Sequence, residues 1–223
     1  MPLQVRGDER VAYIGKTGSG KTFAAAAIVS PLPRLMVLDP KGTLKGKWGL
    51  RDWTATEARA LKRGEPVRVR IPAPLDGDWE PYFKAAYEAG SVCVYIDEVY
   101  GVVPPGHNPS PYFTALYTRG RELGIGVHAA TQRPSKIPLF VLSEAEWTLC
   151  FRLQLLHDRK RMQEVIGSIP DVSPEDPHGF YLYHASWDDA RYYRRLQVAD
   201  TNPATGPEPS FWQRLGAFFT DGR

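Results

Sequence analysis

The run Gly15-Lys16-Thr17-Gly18-Ser19-Gly20-Lys21-Thr22 constrains this chain more than any other stretch. It satisfies the phosphate-loop pattern G-x-x-x-x-G-K-[ST], also called Walker A, at every fixed position. An apolar run, Val11-Ala12-Tyr13-Ile14, precedes it, and Phe23-Ala24-Ala25-Ala26-Ala27-Ile28-Val29 follows. The order is strand, tight loop, helix. Glycines let the backbone curl until its N–H groups point inward at a polyphosphate. A helix starting near Lys21 adds its positive dipole end at the same spot. Lys21 then neutralises β- and γ-phosphates, and the Thr22 hydroxyl holds Mg²⁺. The expected ligand is a nucleoside triphosphate such as ATP, bound by residues 15–22.

Composition narrows the setting. A chain of 223 residues, 43% apolar and 24% charged, is long enough and apolar enough for one domain with its own core. A net charge of +3 is compatible with a nucleic-acid partner but too mild to argue for one. Cys93 and Cys150 both lie in apolar runs and read as small core residues in a reducing compartment. No thiol metal site is expected, because no C-x-x-C or Cys/His cluster occurs. The first ten residues are polar and carry no signal peptide, and no apolar run approaches the roughly 18 residues that span a bilayer. The expectation is a chain that is neither secreted nor membrane-spanning.

Strands and helices alternate along the chain, the pattern of an α/β fold with a mainly parallel central sheet. Strands are expected at 10–14 and 34–38, with a helix between them ending near Ser30, where Pro31 and Pro33 stop it. Asp39-Pro40-Lys41-Gly42 forms a turn at the carboxyl end of the second strand, the edge where open α/β sheets bind ligands. Lys45, Lys47 and Arg51 with Trp48 and Trp53 read as a solvated loop with half-buried tryptophans; contact with nucleic acid is the alternative. Thr54 and Glu57 make a capping box for a helix over 55–63, stopped by Gly64. Residues 66–71 alternate as a strand with one wet face. Asp76 or Asp78 caps the next helix, which carries Pro81 in its first turn and ends at Gly90.

Ser91-Val92-Cys93-Val94-Tyr95-Ile96-Asp97-Glu98 is the second decisive stretch. Downstream of a complete phosphate loop, a buried strand ending in two carboxylates reads as a Walker B motif. Asp97 binds Mg²⁺ through water or orients the hydroxyl that does. Glu98 is placed to polarise the attacking water. The Pro-rich residues 101–111 form an exposed loop, and a helix over 111–123 carries Arg119 and Arg121 at its end. A buried strand over 125–131 brings Gln132 to its tip, where a polar residue can sense a γ-phosphate. A strand over 146–153 and a helix over 157–166 with a wet basic face (Arg159, Lys160, Arg161) come next. A hairpin is expected from 179–184 and 191–198, joined through Ser186-Trp187-Asp188-Asp189. The division expected is an ATPase domain over 1–200, then a Pro-rich linker and short amphipathic helix over 201–223, with Phe211, Leu215 and Phe218/Phe219 on one side.

The block Arg119-Gly120-Arg121-Glu122-Leu123-Gly124-Ile125-Gly126-Val127-His128-Ala129-Ala130-Thr131-Gln132-Arg133-Pro134-Ser135 resembles the FtsK/HerA superfamily of DNA-pumping ATPases. The phosphate loop, Asp97-Glu98 and Asp39-Pro40-Lys41-Gly42 look like the same family's motifs in the same order, over about 10–167. The resemblance implies a RecA-like three-layer fold. It implies that Lys21 and Thr22 bind phosphates and Mg²⁺, Asp97 supports the ion, Glu98 is the catalytic base and Gln132 senses the γ-phosphate. Arg121 stands where a trans-acting arginine finger would be, which implies a homo-oligomeric ring, usually a hexamer. Arg119 is the runner-up, and solvation of a helix end is the plain alternative for both. The family's DNA-facing loops correspond to 101–111, which lacks a fixed positive charge here, and 133–137, where Arg133 and Lys136 suit double-stranded DNA phosphates. Such contacts track the backbone without reading bases.

A chain that begins its first strand near Arg10, with room for neither a membrane segment nor an added β-barrel domain, looks like the minimal genome-packaging ATPases of tailless double-stranded DNA viruses. That likeness implies a ring at a virion vertex or in the host cytoplasm, with capsid or membrane vertex proteins as partners and residues 211–219 as a possible anchor. Two alternatives stand beside it: a cellular or plasmid DNA-mobilising ATPase, and a nucleotide-dependent switch that moves no DNA. Asp97-Glu98 argues against the switch, which needs no dedicated base.

Overall fold

The computed structural model describes residues 5–104, 106–167, 176–198 and 217–221. Its first strand, β1 (Arg10–Ile14), leads through the phosphate loop into α1 (Lys21–Val29). Then follow β2 (Arg34–Asp39), the short β3 (Arg51–Asp52), α2 (Ala55–Lys62), β4 (Val67–Pro72), α3 (Glu80–Ala89) and β5 (Cys93–Ile96). The chain continues with α4 (Pro111–Thr118), β6 (Gly126–Thr131), α5 (Leu139–Ser143), β7 (Trp147–Phe151) and α6 (Leu156–Ile166). It closes with β8 (Phe180–His184), β9 (Arg191–Val198) and β10 (Ala217–Asp221).

These strands form one sheet in the order β10-β9-β8-β7-β1-β6-β5-β2-β4-β3. From β3 to β7 every pairing is parallel, and from β7 to β10 every pairing is antiparallel. The expected α/β architecture with its C-terminal hairpin is therefore what the chain builds. Side chains alternate across a strand, and here the alternation sorts the core into two layers. Ala12, Ile14, Met36 and Leu38 pack against α2–α6, while Val11, Tyr13, Leu35 and Val37 pack against α1 and the β7–β9 side. Three layers result, with β1 in the middle and the phosphate loop over the centre of the sheet.

Local sequence explains most boundaries. Thr54 caps α2 by accepting from the Thr56 N–H, and its hydroxyl meets the Glu57 carboxylate. Asp78 accepts from the Glu80 N–H at 2.9 Å, with Pro81 in the first turn of α3. Gly126 starts β6 against backbone: a Cβ there would lie 1.9 Å from the Gly7 carbonyl oxygen. Cys93 and Cys150 are buried free thiols, and burial pushes both up, Cys150 to about 12.

Several expectations are corrected. α4 stops at Thr118, and Gly120–Leu123 is a separate 3-10 turn, because Gly120 packs tightly against Ile125. The wet face of β4 is wet only in part: Arg68 is half-buried, while Arg70 is buried between Asp39 and Asp52. The Pro-rich loop begins with a 3-10 turn at Val99–Gly101, after which Val102 and Val103 are buried instead of exposed. At the C-terminus, Ala217–Asp221 is a strand paired with β9, not part of a helix, since β9 offers an unpaired edge. The remainder of the expected helix and the linker, 199–216, lie outside the described residues. Among the described residues no helix is long and apolar enough to cross a membrane.

Candidate active site

The parallel strands β1, β6, β5 and β2 lie side by side, so their carboxyl ends present four loops along one edge. Register brings Ile14 beside Thr131, Ala129 beside Ile96, and Ile96 beside Leu38. The phosphate loop, Gln132, the Asp97-Glu98 pair and the 39–44 turn therefore converge on that edge.

The loop closes on itself through Lys21. Its ammonium donates to the carbonyls of Gly15 at 2.6 Å and Lys16 at 2.9 Å. Burial pushes the Lys21 ammonium down to about 8, against the raising effects of Glu98 and Asp97; Lys41 pushes the same way as burial. Gly15 must be glycine, because a Cβ would sit 2.7 Å from the Phe151 Cβ and from the Ser19 hydroxyl. Gly20 enters α1 with φ +108°, the left-handed region that favours glycine. The Gly15 N–H donates to Thr131 and the Lys16 N–H to Arg152, so β6 and β7 hold the loop at its base. At its crest, Gly18 is exposed, and nothing lies within 4 Å of a Cβ built on it.

Asp97 and Glu98 are both 6% exposed. The Tyr95 hydroxyl, fully buried, donates to Asp97 at 3.0 Å and lies within the electrostatic reach of Thr22. One phenol thus sits beside the two oxygens expected near Mg²⁺. Hydroxyl and carboxylate are hard oxygen donors, the kind this ion selects, and an ion with phosphates and water needs few protein ligands. The residues fit the nucleotide and the ion.

Glu98 has both carboxylate oxygens engaged. Oε2 accepts from the Lys41 ammonium at 2.9 Å, and Oε1 accepts from the Gln132 main-chain N–H at 3.4 Å. The Gln132 side chain accepts from the Thr17 hydroxyl at 2.8 Å, which joins the tip of β6 to the phosphate loop.

Asp39 anchors the remaining turn. Fully buried, it accepts from the Thr43 N–H at 3.0 Å, the Leu44 N–H at 2.9 Å and Arg70 at 3.2 Å. The turn so fixed aims Lys41 at Glu98 and brings the Thr43 hydroxyl 3.3 Å from Asp97. The sequence marks this turn but gives no role to Lys41, Thr43 or Tyr95. The one available signal was position, since the turn follows a parallel strand at the ligand-binding edge.

Three expected residues lie elsewhere. Arg121 sits at the opposite, amino-terminal edge of the sheet, 73% exposed, 3.2 Å from Glu146 just before β7. It cannot reach its own chain's phosphate loop. Arg133 is half-buried, paired with Asp158 at 3.2 Å and beside His157 at 3.4 Å. Lys136 is exposed at the end of the 3-10 turn Pro134–Lys136.

No protein-family model matches the chain. Its fold is similar to that of the genome packaging NTPase B204 from Sulfolobus turreted icosahedral virus 2 in complex with ATP-gammaS, with a TM-score of 0.70 at 15% identity over 86% of this chain and 99% of that one. It is also similar to the pCW3 conjugation coupling protein TcpA, with a TM-score of 0.57 at 16% identity over 84% of this chain and 60% of that one. In sequence it is similar to the DNA packaging ATPase P9 of Enterobacteria phage PRD1, 30% identical over 171 residues that span 73% of this chain and 70% of P9. An ATP-site geometry and a likeness of that extent lead to one conclusion: the chain belongs to the viral DNA packaging ATPase family of phage PRD1 P9.

Proposed function

We propose that this protein hydrolyses ATP to drive double-stranded DNA into a preformed viral capsid. The observation that carries the reading is the convergence of Lys21, Asp97, Glu98 and Gln132 on one sheet edge, in a member of a packaging ATPase family. Lys21 and the N–H groups of residues 15–22 hold the phosphates. Thr22 and Asp97 hold Mg²⁺, directly or through water; when bound, the ion neutralises charge on the phosphate oxygens. Glu98 orients the attacking water and takes its proton. Gln132 senses the γ-phosphate and is already tied to the loop through Thr17 and to Glu98 through its own N–H.

Arg121, at the far edge of its own sheet and exposed, suits a role toward a neighbour's nucleotide. Such a finger makes the working form a homo-oligomeric ring, in our reading a hexamer, with sites between subunits. Arg133 and Lys136 contact DNA phosphates without reading sequence, Arg133 exchanging Asp158 for a phosphate. The ring works at a virion vertex or in the host cytoplasm, with capsid or membrane vertex proteins as partners.

The test is ATPase activity with and without double-stranded DNA, for wild type and Lys21→Ala. DNA is expected to stimulate the wild type, and Lys21→Ala is expected to show no turnover. A wild type that hydrolyses ATP with no response to DNA overturns the translocase reading.

A further inference from the structure

We propose that Trp48, on the loop between β2 and β3, is a positioning residue for the Mg²⁺ site: its indole packs on Tyr95 and so keeps the Asp97 carboxylate aimed for the ion. This rests on the reading of the site as one for nucleotide and Mg²⁺, and adds to it a residue outside the phosphate loop and the strand tips.

The backbone singles Trp48 out. Its φ is +56°, in the left-handed region. A bulky side chain there is a genuine outlier, and strain of this kind gathers at working sites. Gly46 and Gly49 on either side have φ of +70° and +63°, a conformation glycine takes without penalty. Between them stands a tryptophan in the same region. Local bonds hold it there. The Lys47 N–H donates to the Leu44 carbonyl at 3.1 Å, and the Leu50 N–H donates to the Lys47 carbonyl at 3.1 Å. Arg68 on β4 donates to the Trp48 carbonyl itself.

What the strained residue supplies is a ring. The Trp48 indole lies 5.3 Å from the Tyr95 ring, centre to centre, and Tyr13 meets Tyr95 edge-on at 6.3 Å. Tyr13 and Tyr95 are fully buried, whereas Trp48 is half-buried, so the indole is the outer neighbour of the phenol. The Tyr95 hydroxyl donates to Asp97 Oδ1 at 3.0 Å. A phenol aims its hydroxyl only as well as its ring is packed. Without the indole the Tyr95 ring gains room, its hydroxyl is no longer held against Oδ1, and the carboxylate loses its fixed direction. Groups that orient a metal ligand in this way govern metal affinity.

The experiment is equilibrium binding of a non-hydrolysable ATP analogue to the full chain by calorimetry, in excess Mg²⁺ and in EDTA, alongside thermal melting. The proteins are wild type, Trp48→Phe, Trp48→Ala, Trp48→Gly, Tyr95→Phe and the double variant of Trp48→Gly with Tyr95→Phe. The quantity read is the gain in affinity on adding Mg²⁺. Trp48→Ala and Trp48→Gly are expected to cut that gain about tenfold, the low end for a group behind a metal ligand. Their affinity in EDTA should stay close to wild type. Trp48→Phe, which keeps a ring, should retain most of the gain. Tyr95→Phe should lose at least as much as Trp48→Gly, and the double variant no more than Tyr95→Phe, because both act through one bond. Trp48→Gly should melt above Trp48→Ala, since glycine adopts this backbone freely. A full Mg²⁺ gain in Trp48→Ala and Trp48→Gly, or in Tyr95→Phe, overturns the role. Losses that are equal with and without Mg²⁺, or that multiply in the double variant, overturn it too. A wild type whose affinity does not respond to Mg²⁺ overturns the ion reading itself and the role with it, so the two failures are distinct.

Discussion

At the scale of single residues, the polar groups buried in this sheet make sharp demands. His128 on β6 is fully buried, and its Nδ1 lies 2.9 Å from the Tyr13 hydroxyl on β1. Burial pushes this imidazole down to about 3. It is neutral in the fold at any pH above that, whereas the unfolded chain protonates it below about 6.5. The unfolded state therefore binds the extra proton between those values, so stability is fully present above about 6.5 and falls as pH drops toward 3. His128→Asn, which keeps an acceptor for Tyr13, should flatten the acid side of a urea-midpoint profile taken from pH 7 to pH 4. An equally steep profile in the variant would place the acid sensitivity elsewhere. Arg70 is the other case. Arg70→Met leaves the carboxylate of Asp39 buried without its guanidinium, a loss of about 3–5 kcal/mol for a broken buried pair. Because Asp39 holds the turn of Lys41, the same variant should also alter ATP turnover, which separates it from a remote destabilising change. Glu98→Gln should leave nucleotide binding intact and lower kcat by about 10²–10⁴.

At the scale of elements, capping and punctuation residues were readable and environment was not. The Thr54/Glu57 cap, Pro81 and Gly90 set helix limits through local bonds, so α2 and α3 lie where the sequence puts them. The alternation in β4 is equally legible, yet at Arg70 that side is covered, because Asp39 and Asp52 come from other strands. A pattern of period two gives the face of a residue, not what covers that face. The ends of α4 depend on Gly120 against Ile125, a contact made only after β6 docks. That helix also supplies an aromatic cluster: Phe113 lies 5.1 Å from Phe83, 5.3 Å from Tyr117 and 5.7 Å from Phe140, ring centre to ring centre. Phe113→Ala should cost about 3–5 kcal/mol, read as a lower urea midpoint. A smaller loss, below about 1 kcal/mol, would mean that the neighbouring rings collapse into the space.

At the scale of the whole molecule, the sheet has two chemically distinct edges. Phosphate loop, carboxylates and Gln132 occupy the carboxyl edge, and Arg121 with Glu146 and Arg10 occupies the other. The proposed ring, in which one edge faces the next subunit's site, would account for both. Mixing Arg121→Ala subunits with Glu98→Gln subunits, each inactive alone, should restore part of the ATPase activity, because some interfaces then pair an intact base with an intact finger. Mixed rings without any recovered activity would remove Arg121 from that role. The sequence by itself determined the nucleotide loop, the paired acids, the strand tip at Gln132 and the parallel α/β order, since each is written in contiguous residues whose spacing is their geometry. Only the tertiary structure decided that Lys41 meets Glu98, that Tyr95 sits beside Thr22 and holds Asp97, and that Asp39 needs Arg70. Those partners lie far apart along the chain, and the register of β1, β6, β5 and β2 is what makes them neighbours. The phosphate loop is legible as a local motif, while the groups that control its chemistry are set by which strands lie side by side.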